Sequence, residues 1–329
     1  MNTLINFDDE ITWHAITLII LLILYHIIYC FCKRRLKNRS EVTYSSINSC
    51  LSLFEQKLGK NGFVILKNQG IRLHYVTSGD EINPMMLMIH GYPEFWHVWK
   101  NQISEFRQNY WLVIPDLRGY GLSDRSNKNV SIINLVEDME ELITLFAKDS
   151  AIVVGHGFGG IVACKLAQNH PNVVNRLVIL DAPFPGTLIY SNTWWITFEI
   201  PIILKLFIIL KRIFFMEKIF KENENKDIIL SEMEAYCKEE CGTIGMNHFV
   251  MKSREIDKEV TISLPTLIIW GENDFLDYYT CMRNYYKYCN DLRTERVGNA
   301  GHWVHCEQPE IVNASITKFL KETEKVLHK

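Results

Sequence analysis

The chain of 329 residues has no C-x-x-C pair and no regular cysteine spacing, and its nine cysteines are an odd number. That argues against a disulfide framework and suits free thiols in a reducing compartment. Cys237 and Cys241 have no histidine pair nearby at zinc spacing, so no metal is expected. Charge of one sign is also not in excess: Lys and Arg number 35 against 38 Asp and Glu, a formal net charge of −3. That balance gives no reason to expect nucleic acid as a partner. Internal repeats and low-complexity segments are absent, which leaves out repeat architectures. What remains is 48% hydrophobic and 22% charged sequence, enough for one large core with an insertion.

The first long apolar run is Ile11 to Cys32, interrupted by threonines and by His14 and His26. It has about the length that spans a bilayer. Asp8, Asp9 and Glu10 precede it, and Lys33, Arg34, Arg35, Lys37 and Arg39 follow. A cleaved leader would carry its positive charge in front and a small-residue cleavage site behind, and this run has neither. The basic flank stays cytoplasmic by the positive-inside rule. The expectation is therefore a single-pass membrane protein, of the endoplasmic reticulum, with a short extracytosolic segment 1–10, an anchor 11–32 and a cytosolic body. Residues 33–61 form the basic flank and tether.

From Gly62 the pattern is α/β. Phe63 to Lys67 and Ile71 to Val76 read as an antiparallel pair turned at Asn68-Gln69-Gly70. Met85 to Ile89, Trp111 to Pro115, Ile152 to Val154, Arg176 to Asp181, Thr266 to Trp270 and Leu292 to Val297 complete about eight strands. Between Ser131 and Lys148, Ile132, Leu135, Val136, Met139, Leu142, Ile143 and Phe146 fall at helical spacing. The alternation predicts a mostly parallel sheet, with residues 62–182 as the first part of the core and 264–325 as the second. Residues 183–263 interrupt it with apolar helical sequence, expected as a helical lid. Within it the run from Trp194 to Phe215 carries Pro201, Glu199, Lys205, Lys211 and Arg212, which suits a lid face against core or membrane lipid better than a second span.

The middle of the chain holds Gly155-His156-Gly157-Phe158-Gly159-Gly160 after a β-branched run and before a buried helix. Strand, sharp turn and helix are the setting in which G-x-S-x-G presents a nucleophile. Gly155 and Gly159 stand in place, but the nucleophile position is Gly157. The same letters spell G-x-G-x-x-G, with Asp181 near the spacing of a ribose-binding acid. A dinucleotide fingerprint normally opens its domain, however, and here several strands come first.

Four motifs line up in order: His90-Gly91-Tyr92-Pro93-Glu94 with Trp96, Asp116-Leu117-Arg118-Gly119-Tyr120-Gly121, the elbow, and Gly301-His302-Trp303. With Gly271-Glu272-Asn273-Asp274, they make the chain resemble the epoxide hydrolase branch of the α/β-hydrolases, most of all its membrane-anchored members. The resemblance covers nearly everything after about residue 50. It implies the α/β-hydrolase fold, no cofactor, and a route in which an elbow Asp attacks the epoxide and a His-Asp relay activates water to release the ester. Carried over, His302 is the base and Asp274 orients it, with Glu272 the competing carboxylate. Tyr92 and Phe158 supply oxyanion-hole N–H groups. His90, Gly91 and Pro93 belong to the motif loop, and Asp116 and Arg118 are expected to form an ion pair within a turn. His97 and His305 are expected to be ordinary packed histidines. The lid tyrosines of the family fall at Trp194 and Phe249.

Gly157 cannot form the ester, and neither Trp194 nor Phe249 carries a phenol. The expectation is a family member impaired in catalysis that binds a small apolar or lipid-derived ligand, or an epoxide, beneath the lid. The open alternatives are an active hydrolase of epoxides or esters, in which His302 and Asp274 activate water directly, and a membrane-anchored interaction scaffold.

Overall fold

The computed structural model describes residues 58–67, 70–92, 94–124, 131–147, 149–187 and 260–327. Strands β1 (Lys60–Leu66) and β2 (Ile71–Ser78) form the expected antiparallel pair. β3 (Met85–Ile89), β4 (Trp111–Pro115), β5 (Ala151–His156), β6 (Val174–Leu180), β7 (Thr266–Gly271) and β8 (Leu292–Val297) follow. All eight make one sheet in the order β1-β2-β4-β3-β5-β6-β7-β8. β2 also runs antiparallel to β4, and every later pairing is parallel. Strands β3, β4 and β5 are buried along their whole length, as parallel strands covered on both faces must be. β1 and β8 lie at the edges and are the most exposed strands, with Asn61, Phe63 and Ile65 of β1 and Thr294 and Arg296 of β8 turned to solvent.

Helices α1 (Lys100–Phe106), α2 (Ile132–Phe146), α3 (Gly157–Asn169), α4 (Tyr278–Tyr288), α5 (Val304–Glu307) and α6 (Pro309–Leu327) cover the two faces. Alternate strand residues serve opposite cores. Leu87, Ile89 and Val153 pack with Leu135, Met139, Val162 and Tyr285 from α2, α3 and α4. Met86, Met88 and Val154 pack with Trp96, Trp99, Ile103, Val312, Ile316 and Phe319 on the other side. Helix α2 starts at a capping box, in which Asn134 N–H donates to Ser131 Oγ and Ser131 N–H to Asn134 Oδ1.

One expectation is corrected. Asp116 and Arg118 do not pair with each other. Asp116 Oδ2 lies 2.7 Å from His74 Nδ1, and its carboxylate accepts the N–H of Trp96 and of Leu122 at 2.9 and 3.1 Å. Arg118 instead reaches Asp138 on α2 with a two-pronged contact. The short carboxylate is met by His74 on β2, by an amide of the β3 loop and by one of its own turn, whereas the long guanidinium spans to the neighbouring helix.

Among the described residues no helix is long and apolar enough to cross a membrane. The expected anchor 11–32, and residues 188–259 of the expected lid, lie outside the described residues.

Candidate active site

The elbow forms because β5 runs straight into α3. Gly157 adopts φ 51°, a left-handed conformation that glycine takes without steric cost. Its small neighbours let the strand, the helix and the adjacent loop meet. A Cβ on Gly155 would come 2.5 Å from Gly159 O, and one on Gly159 would come 2.3 Å from His90 O. At Gly157 itself there is room, since a Cβ there would have His302 Nε2 as its nearest neighbour, at 3.4 Å.

The relay residues therefore converge on the elbow. Asp274 lies in the loop after β7 with its side chain fully buried, and its two oxygens lie 3.1 and 3.0 Å from His302 Nδ1. Its Oδ1 also accepts Leu276 N–H at 3.0 Å, which fixes its rotamer. Burial lowers the His302 pKa, with Asp274 opposing and His156 adding to the effect. A neutral ring that donates from Nδ1 to Asp274 turns the Nε2 lone pair toward Gly157. The competing carboxylate, Glu272, sits 3.6 Å from Arg296 on the surface.

A second polar cluster holds this base from behind. His156, the last residue of β5, lies 3.0 Å from Glu94 Oε2 through Nδ1 and 2.7 Å from the His302 carbonyl through Nε2. Both partners are acceptors, so both ring nitrogens donate and the ring is an imidazolium. Burial works against its charge, but Glu94 overcomes that and raises the His156 pKa to about 9. In return Glu94 falls to about 2 against its own burial. Glu94 also accepts Gly91 N–H at 2.8 Å and the indole N–H of Trp303. One carboxylate thus ties the β3 loop, the elbow strand and the base loop together. His305, fully buried, packs with its ring centroid 4.4 Å from that of His156, the planes tilted by 50°. Potential ligand atoms of Glu94, His156 and His305 fall within 4.8 Å of one another. With both of its ring nitrogens donating, His156 is held by Glu94 as an ion pair, and the His305 ring lies tilted against it.

Asp181 is a residue whose role the sequence analysis missed. It ends β6 at φ 47°, fully buried, and accepts Gly271 N–H at 2.8 Å and Val304 N–H at 3.1 Å. It therefore pins the loops that carry Asp274 and His302. Burial, and then Asp274, push its carboxyl well up. Locked beneath those loops, it cannot serve as a ribose acid. The available signal was its position at the carboxyl end of a central strand, where site residues gather in such sheets.

His90 is a staple between loops. It accepts Leu117 N–H at Nε2, 3.0 Å away, and its Nδ1 lies 2.8 Å from Gly91 O. Gly91 Cα is 3.9 Å from where a Gly157 Cβ would stand, which brings the Tyr92 loop against the elbow. Phe158 lies in the first turn of α3. Pro93, Trp194 and Phe249 lie outside the described residues.

A parallel sheet with its second strand reversed, an elbow after β5 and an acid–histidine pair after β7 and β8 define an α/β-hydrolase. A family model described as alpha/beta hydrolase fold matches residues 84–199. More narrowly, the chain belongs to the epoxide hydrolase family. It is 33% identical to epoxide hydrolase 1 of Caenorhabditis elegans over 310 residues, covering 82% of this chain and 75% of that protein. Identity to epoxide hydrolase 3 of Xenopus tropicalis is 31% over 294 residues, covering 80% and 78%. Epoxide hydrolase 4 of Homo sapiens is 29% identical over 299 residues, covering 83% and 82%. In fold it matches an epoxide hydrolase from Bacillus megaterium with a TM-score of 0.69 at 22% identity, over 79% of this chain and all of that one.

Proposed function

We propose that this chain binds a small apolar, epoxide-like molecule above the elbow and does not run a covalent hydrolase cycle. The observation that carries this reading is Gly157 at the nucleophile position, aimed at His302 with no atom able to attack. Loss of a nucleophile costs on the order of 10⁴ to 10⁶ in kcat. Asp181 cannot replace it, because both of its oxygens are held by backbone N–H groups below the relay. The relatives' names point to epoxides as the ligand class. The apolar lid sequence and the basic-flanked run 11–32 support a membrane-anchored protein facing the cytosol, with a ligand drawn from the lipid phase.

The intact His302–Asp274 pair favours a second reading, direct hydrolysis. In that case His302 Nε2 takes a proton from water, the water oxygen bonds to an epoxide carbon, and that carbon's bond to the ring oxygen breaks. The ring oxygen then receives a proton to complete a diol. The test is a single-turnover incubation of the full chain with an aryl epoxide in oxygen-labelled water. The first reading expects neither diol nor a mass gain on the protein. Labelled diol in the first turnover, lost in His302→Gln, would establish the second reading instead.

A further inference from the structure

His302 is nine-tenths buried, and its Nε2 has no hydrogen-bond partner among the described residues. It aims at the start of α3, a helix of 13 residues. A helix start favours negative charge, since its first amides and its dipole both point there. The carboxylates around the ring are already engaged elsewhere. Asp274 faces Nδ1, Glu94 is held by His156, Gly91 and Trp303, and Asp181 by two backbone amides. Among the described residues, the Nε2 side of the ring is thus a proton site at a helix start with no anion of its own. A carbon placed at the Gly157 Cβ position meets only ordinary contacts, the nearest at 3.4 Å.

We propose that this elbow is a carboxylate-binding site: a monocarboxylate sets its –COO⁻ where a side chain at residue 157 would stand and pairs with a protonated His302. The inference rests on reading Gly157 as a nucleophile position without its nucleophile. The proton balance is simple, since one proton from solvent enters with the anion and resides on Nε2. No covalent bond forms or breaks.

That uptake gives the site a pH signature. Asp274 from the β7 loop and Glu94 from the β3 loop favour the imidazolium, while burial and His156 from β5 oppose it. Burial wins in the free protein and lowers the pKa, and a bound carboxylate raises it. Between the free and bound values, Kd rises about tenfold per pH unit as pH rises.

The experiment is calorimetric titration of the full chain with sodium acetate, sodium decanoate and decan-1-ol, from about pH 5.5 to about pH 8.5, the range in which His changes charge. Decanoate is expected to weaken with rising pH at about that slope, while the neutral decanol keeps one Kd. His302→Gln flattens the slope. Gly157→Asp, which supplies a built-in carboxylate, weakens decanoate by about 100-fold or more, and weakens the neutral decanol much less than decanoate. Acetate binding with the same slope identifies a free small anion as the occupant, whereas decanoate alone identifies an apolar acid. If Gly157→Asp does not fold, the decanoate–decanol contrast in the native sequence decides by itself. A decanoate Kd independent of pH, or no binding by either carboxylate, overturns the proposal. Decanol binding with no carboxylate binding would leave the apolar-ligand reading standing alone. Acetate binding with the slope and no decanol binding would do the reverse.

Discussion

At the scale of single residues, Gly157 and the His156–Glu94 pair carry the most weight. Gly157→Asp restores an attacking carboxylate beside His302 Nε2, and the expected outcome is an epoxide-dependent mass gain on the protein. Adding Trp194→Tyr and Phe249→Tyr supplies acid groups and should raise diol formation by about 10² to 10⁴. Asp at φ 51° is strained, so this gain should come with a lower Tm. The ion pair predicts a pH dependence of stability. His156 titrates at about 9 when folded, against an ordinary 6.5, so its contribution is full below 6.5 and lost as pH rises through 9. Glu94 at about 2, against 4.5, contributes fully above 4.5 and loses this as pH falls through 2. Each shift corresponds to about 3 kcal/mol, shared between the partners and not summed. Urea unfolding at pH 6 and pH 10 should show a loss of this order in the native sequence. The double variant Glu94→Gln/His156→Gln should lack most of that difference, and an equal loss in both would refute the assignment.

At the scale of elements, the β5–α3 junction depends on missing side chains. Gly159→Ala would set a Cβ 2.3 Å from His90 O and 2.4 Å from Ile89 O, both backbone atoms that cannot swing aside. Overpacking of this kind costs about 1 to 3 kcal/mol, readable as a fall in the urea midpoint. Gly298→Ala, whose Cβ would meet nothing closer than 3.7 Å, is the internal control and should stay within about 0.5 kcal/mol. A second elemental tie is Arg118 on Asp138, which joins the β4 loop to α2. Arg118→Met leaves a buried carboxylate without its partner and should cost about 3 to 5 kcal/mol. Replacing both residues by apolar ones of similar size should recover much of that loss.

Across the whole molecule, every loop of the candidate site leaves the carboxyl end of a parallel strand. Glu94 follows β3, Gly157 follows β5, Asp181 follows β6, Asp274 follows β7 and His302 follows β8. This is where open α/β sheets bind ligands, because diverging loops there make a crevice. Orientation toward the membrane can be tested with three N-x-S triplets, at Asn38, Asn129 and Asn313. A cytosolic body predicts that none carries a glycan. Asn313 is 9% exposed and accepts a hydrogen bond from Gln102 Nε2, so in the folded protein it is closed to glycosylation whatever the topology. Asn129 is therefore the informative site within the body, and an endoglycosidase-sensitive shift lost in Asn129→Gln would overturn the proposed orientation.

The strands, their order along the chain and the elbow could be read from the sequence because each depends on neighbours in the chain. An unbroken apolar run in β3 marks a strand covered on both faces, and helical spacing in α2 reports which face of the helix is buried. The glycine at the tip of the elbow was likewise a matter of one letter, at residue 157. Tertiary structure alone decided which polar groups meet. Asp116 turned away from Arg118, Asp181 became a clamp between two loops, and His156 came to lie between two acceptors. Those outcomes depend on contacts between residues 62, 90 and 146 positions apart. Periodicity carries no information about such pairings, because a buried polar side chain takes whichever donor or acceptor the folded sheet brings within reach.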